Sequence, residues 1–153
     1  MIQPQSMFEA LRAYTARLKP EPDPVRVLVV DDDENVRRFV ERAMRIAGME
    51  TVTASGGHEA LSAAQTTPGG FGLVITDVRM PNMSGPQFID ALRRTDPYVK
   101  VLYLTGFNDQ LFKEKVALWE DEAFLDKPCT VKGLLEAVSL LLHGYLPPVD
   151  HLA

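Results

Sequence analysis

The stretch Phe71-Gly-Leu-Val-Ile-Thr-Asp77-Val-Arg-Met-Pro-Asn-Met-Ser-Gly85 decides how this chain is read. It begins as an apolar run of the kind a buried central strand needs, and the run stops at one carboxylate, Asp77. Turn-forming residues follow at once: Pro81, Asn82, Ser84, Gly85 and Pro86. A lone acid at the carboxyl end of a buried strand, with a short loop beyond it, is where open α/β sheets place their ligands. The same acid would serve equally to cap the next turn. The rest of the chain must decide between the two.

Upstream, Arg26-Val-Leu-Val-Val30 is a β-branched run that ends on Asp31-Asp32-Asp33-Glu34-Asn35. Several of these acids can cap the helix that follows, whose positive end favours them. That helix, about 34–47, puts Val36, Phe39, Val40, Ala43 and Ala47 on one face, and Gly48 ends it. A short strand over 51–54 and a helix over about 58–65 come next, with Ala60, Leu61 and Ala64 inward and Pro68-Gly69-Gly70 closing it.

Downstream of the central stretch, a helix over about 85–94 turns Phe88, Ile89 and Leu92 to its apolar side. A strand over 99–104 closes on Thr105-Gly106. A helix over about 109–120 carries Leu111, Phe112, Val116 and Leu118. A brief strand, Ala123-Phe-Leu-Asp126, leads into Lys127-Pro128. The last helix, about 130–142, has Val131, Leu134, Leu135, Val138, Leu141 and Leu142 as its apolar residues, and His143-Gly144 stops it.

Five β–α units in strict alternation with short connections imply an α/β fold of three layers, a parallel sheet covered by helices on both faces. Right-handed crossovers leave few topologies, and 2-1-3-4-5 is the natural strand order for five units. Residues 25–143 form this domain. Residues 1–24 read as an appendage: Phe8, Leu11, Ala13, Tyr14 and Leu18 recur at roughly helical spacing, and Pro20, Pro22 and Pro24 make a stiff connector. Residues 144–153 read as a tail.

The 153 residues suit one ordinary domain, and 46% hydrophobic with 24% charged content is that of a globular protein. A net charge of −5 disfavours nucleic acid as a partner. No apolar run is long enough to span a bilayer or to serve as a signal core. The lone Cys129 excludes an internal disulfide framework and fits a reducing compartment, so the expected location is the cytoplasm.

The parallel sheet brings strand ends together. Strand one supplies Asp31 and Asp32, strand three Asp77, strand four Thr105 and strand five Lys127. Three converging carboxylates repel unless a cation joins them. Oxygen-only ligands in a small site suit Mg²⁺, which could also neutralise oxygens of a transferring phosphoryl group. Thr105 can donate to a phosphoryl oxygen, Lys127 supplies a compact positive charge, and Asp77 remains as the nucleophile. Each residue alone has a plain structural role; together, at different strand ends, they make coincidence a poor account.

Val27-Leu-Val-Val-Asp-Asp32, Val74-Ile-Thr-Asp-Val-Arg-Met-Pro-Asn-Met-Ser-Gly85, Leu102-Tyr-Leu-Thr-Gly106 and Leu125-Asp-Lys-Pro128 resemble the receiver (CheY-like) domain of two-component response regulators. The resemblance implies the flavodoxin-like (βα)5 fold, with Asp77 taking a phosphoryl group from a histidine kinase or histidine phosphotransfer protein. It implies Mg²⁺ on Asp31, Asp32, Asp77 and the backbone carbonyl of Arg79, with Thr105 and Lys127 reading the phosphoryl group. It also implies a cis peptide at Lys127-Pro128 and a switch made of Thr105 and an aromatic on strand five, here Phe124 where many relatives have tyrosine. Arg79 and Phe107 occupy positions thought to tune dephosphorylation. Glu120-Asp121-Glu122 departs from the family's small turn, so the output surface formed by the 109–120 helix, strand five and the last helix is expected to be particular to this chain.

The expected function is a phosphorylation-dependent switch of binding to a downstream protein. No second domain is expected after the last helix, so a DNA-binding role on this chain is disfavoured. A variant is the terminal receiver of a hybrid histidine kinase. Homodimerisation would use the 109–120, strand-five and last-helix face, or the N-terminal helix. Two other readings stand beside it. One is a pseudo-receiver that binds partners without phosphorylation. The other is a Mg²⁺-dependent phosphohydrolase of the haloacid dehalogenase type, whose nucleophile would sit on the first strand in an Asp-x-Asp arrangement that this chain lacks.

Overall fold

The computed structural model describes residues 24–106 and 121–144, with Met7, Glu9 and Ala10 ahead of them. Those three are helical. The rest of the appendage up to residue 23, Phe107, the helix expected over 109–120 and the tail from 145 lie outside the described residues.

Five strands form one sheet: β1 (Arg26–Val30), β2 (Glu50–Ala54), β3 (Leu73–Asp77), β4 (Lys100–Thr105) and β5 (Glu122–Asp126). All pairings are parallel, and the order is β2-β1-β3-β4-β5, as the alternation requires. The described helices are α1 (Glu34–Ile46), α2 (Gly57–Thr66), α3 (Gly85–Leu92) and α4 (Val131–His143). None of them is long and apolar enough to cross a membrane.

Alternation along the central strands sorts their side chains into two cores. Val27, Val29, Leu73, Ile75, Leu102 and Leu104 face α1 and α4, meeting Val40, Ala43, Met44, Leu134 and Val138. Leu28, Val30, Val74, Val101 and Tyr103 face α2 and α3, meeting Ala60, Phe88, Ile89 and Leu92. β3 is buried along its whole length, which explains its unbroken apolar run.

Helix ends follow local chemistry. Among the acids after β1 it is Asp33 that caps α1, its side chain accepting from the Asn35 N–H at 2.8 Å. Glu34 in the first turn and Arg45 in the last complement the helix dipole. Gly48 and Gly144 take positive φ just past their helices. Ala47, expected on the buried face of this helix, is exposed. The helix ends at Ile46, and Met44, one turn beyond Val40, fills that place instead. Ser84 and Gln87 form a reciprocal capping box at the start of α3.

Glu122, read from sequence as part of an acidic turn, instead opens β5 and is buried. Its carboxylate accepts from Arg93 Nη1 at 2.7 Å, with side chains only 3% and 10% exposed. Arg93 Nη2 also donates to the Val99 carbonyl at 3.1 Å, tying the end of α3 to the start of β4 and β5. Burial and the nearby Glu122 carboxylate push the Tyr103 phenol far above its ordinary value. Removing one partner of a buried pair leaves an uncompensated charge. Glu122→Ala should therefore cost about 3 kcal/mol in urea unfolding; a loss below about 1 kcal/mol, the range of exposed pairs, would show that the pair is not a buried one.

Candidate functional site

The carboxyl edge of the sheet carries the site. Asp31 leaves the end of β1 and is fully buried, its Oδ1 accepting from the Asp33 N–H at 2.9 Å. Arg37, one turn into α1, donates from Nη1 to the Asp31 carbonyl at 2.6 Å and so fixes the strand-to-helix corner. Asp32 is exposed beside it. Asp77 ends β3, 8% exposed, in register with Leu104 of β4. Carboxylate oxygens of Asp31, Asp32 and Asp77 lie within 4.8 Å of one another.

The loop after Asp77 folds back tightly. Gly85 N–H donates to the Val78 carbonyl at 2.8 Å. A β-carbon at Gly85 would lie 2.2 Å from the Asp77 carbonyl oxygen, so only glycine fits this approach. Asn82 takes positive φ in the same loop. Arg79 is exposed on it. At the other end of the sheet edge, the Lys127-Pro128 peptide is cis, as the resemblance implied.

Lys127 reaches across the edge. Its Nζ stands 2.9 Å from Asp31 Oδ2 and 3.2 Å from Asp77 Oδ1. Burial alone pulls the ammonium down, but hydrogen bonds and attraction from Asp31 and Asp77 outweigh it and hold Lys127 above its ordinary value. Asp77 goes the other way from a salt-bridged acid. Burial and repulsion from Asp31 push its carboxyl up to about 6, and Lys127 offsets them only in part. One lysine does not satisfy three carboxylates. The donor set is all oxygen and carries excess negative charge, so these residues fit a hard cation.

Thr105, 5% exposed, ends β4. Its hydroxyl donates to Asp126 Oδ1 at 2.8 Å, not to Asp77. Asp126 was missed from sequence; the signal was its place one residue before Lys127, but its pairing with Thr105 is a matter of strand register. Phe124 stacks on Tyr103, ring centroids 5.5 Å apart and planes 10° from parallel. Beside Lys127 lies an apolar cleft of about 470 Å³ lined by Val36, Phe39, Leu104, Pro128 and Cys129. Burial pushes the Cys129 thiol up.

The response regulator receiver domain family matches this chain over residues 27–139. The chain belongs to that family. Its receiver region is 33% identical to the sensor kinase CckA of Brucella abortus over 116 residues, covering 76% of this chain but 12% of CckA. It is 29% identical to the response regulator receiver protein CpdR of Brucella abortus, covering 76% of this chain and 96% of CpdR. The crystal structure of the chemotaxis response regulator CheY4 of Vibrio cholerae superposes with a TM-score of 0.66 at 32% identity, covering 78% of this chain and 99% of that one. The parallel sheet expected from the strand alternation and the receiver family that the motifs resembled are both borne out.

The raised Asp77 carboxyl gives a signed pH prediction for the metal-free protein. Its native value near 6 lies above the ordinary 3.8, so the native state holds the extra proton between them and stability falls as pH rises through that window. Above pH 6 the whole penalty is present. Asp77→Asn should therefore stabilise the protein in EDTA at pH 7.5 by up to about 3 kcal/mol. The gain should shrink below pH 6 and vanish near pH 4. Thermal unfolding across pH checks this, and a gain that does not change with pH would refute it.

Proposed function

We propose that this receiver is a phosphorylation-dependent switch in a two-component pathway, with Asp77 as the phosphoacceptor. The observation that carries the reading is the meeting of Asp31, Asp32, Asp77 and Lys127 at one edge of the sheet. An Asp77 oxygen attacks the phosphorus of a phosphohistidine on a histidine kinase or histidine phosphotransfer protein. The P–N bond breaks, its electron pair returns to the imidazole, and an acyl phosphate forms on Asp77.

Asp31, Asp32, Asp77 and the Arg79 carbonyl would hold the metal, and Mg²⁺ is the ion that suits so few hard oxygen donors. When bound, Mg²⁺ supplies positive charge against the phosphoryl oxygens and relieves the repulsion among the acids. Lys127, already between Asp31 and Asp77, places a second positive charge beside the incoming group. In this reading the exposed Arg79, two residues past Asp77, lies where a partner's phosphohistidine would approach. Thr105 reads the modification, and Phe124 on the same ribbon passes it to a surface that binds a downstream protein. The working location is the cytoplasm, the domain spans 25–143, and the chain modifies itself without turning over a substrate.

A second reading places the same chemistry in one receiver of a larger sensor kinase, which the similarity to CckA favours. The switch chemistry at Asp77 is the same in both.

The test is intact mass after incubation with Mg²⁺ and acetyl phosphate, beside Asp77→Asn. Gain of one phosphoryl group is expected in the parent alone and only with Mg²⁺. No adduct, in a protein that binds Mg²⁺ yet fails to bind beryllofluoride, would contradict phosphoacceptance and leave a binding module that works without phosphorylation.

A further inference from the structure

One face of the β4–β5 ribbon carries a row of paired side chains that runs up to the site. Tyr103 and Phe124 are register partners with stacked rings. One rung further, Thr105 and Asp126 are partners, joined by the 2.8 Å hydrogen bond from Thr105 Oγ1 to Asp126 Oδ1. The Lys127 N–H closes that rung on the Thr105 carbonyl at 2.8 Å. Neighbouring residues of β5 and its loop therefore divide their targets. Lys127 turns to Asp31 and Asp77, while Asp126 turns to Thr105.

A threonine hydroxyl has one proton to give. While Asp126 holds it, the proton cannot be donated to an oxygen of a phosphoryl group carried on Asp77. We propose that Asp126 is a positioning residue: it holds the Thr105 hydroxyl in the resting arrangement and competes with the phosphoryl group for its single proton. This inference rests on the phosphoacceptor reading above. Both competing acceptors are anionic, so the hydrogen bond each offers is charge-assisted. Asp126 is exposed and can turn to water once released, whereas Thr105 is nearly buried and must keep a partner within the protein. The exchange therefore leaves no buried polar group unsatisfied. It also frees an exposed carboxylate oxygen at the end of β5 to accept a hydrogen bond from elsewhere.

The test uses the full chain with Mg²⁺ and beryllofluoride as the phosphoryl probe, its affinity measured by ¹⁹F NMR titration. Asp126→Ala should bind beryllofluoride about three- to tenfold more tightly, because water competes for the exposed Asp126 carboxylate and brings its bond to the range of an ordinary hydrogen bond. Asp126→Asn keeps an acceptor oxygen and should fall between Asp126→Ala and the parent. Mg²⁺ affinity measured alone should be unchanged in both, a split that general loosening of the fold would not produce. In a Thr105→Val background, Asp126→Ala should bring no gain. Equal beryllofluoride affinities in the parent and Asp126→Ala would overturn the proposal. So would the same gain in the Thr105→Val background, which would assign it to lost negative charge alone. A parent that binds Mg²⁺ but no beryllofluoride would overturn the phosphoacceptor reading itself, and this proposal with it.

Discussion

Three carboxylates gathered around one lysine are the constraint on which this structure turns. A parallel sheet brings its strand ends to one edge, and here the edge carries Asp31, Asp32 and Asp77 with oxygens within 4.8 Å. Lys127 lies against two of them and leaves the site short of positive charge. The protein holds this arrangement because the strands below are buried on both faces by apolar packing. Folding energy from two cores is set against repulsion at one small site. The repulsion is what a cation held by these acids would relieve.

The supports around the site explain how it stays in place. Arg37 binds the Asp31 carbonyl, Asp33 caps α1, and the Gly85 approach holds the loop against the end of β3. On the far side, the buried Arg93–Glu122 pair fixes the start of β5 against α3. β5 and the loop after it present Phe124, Asp126 and Lys127 in sequence, so one short strand links the rigid pair at its base to the candidate site at its tip. In the proposed switch, the ribbon of β4 and β5 would carry a change at Thr105 to Phe124.

Much of the fold was legible because the central parallel strands read as apolar runs, and every strand but β2 led into a polar residue that the topology then collected. The acids, Asp77 and Lys127 were found in this way. What was not legible depends on contacts between residues distant in the chain. Five polar residues follow β1, and composition does not say that Asp33 rather than Asp31 or Asp32 caps the helix; the backbone angle there does. Arg93 and Glu122 are far apart in sequence, so an acidic turn gave no hint of a buried pair. Ala47 fits the helical stripe on paper, yet the helix stops before it. The bond between Thr105 and Asp126 follows from strand register, and register is set by packing that no single strand records.

The most direct measurement is the titration of the Asp77 carboxyl by ¹³C NMR, with and without Mg²⁺. The account predicts a midpoint near 6 without metal, set by burial and by Asp31, and a midpoint well below it once Mg²⁺ is bound. A carboxyl that titrates in the ordinary range without metal, or whose midpoint ignores Mg²⁺, would mean that the three acids do not form one electrostatic site.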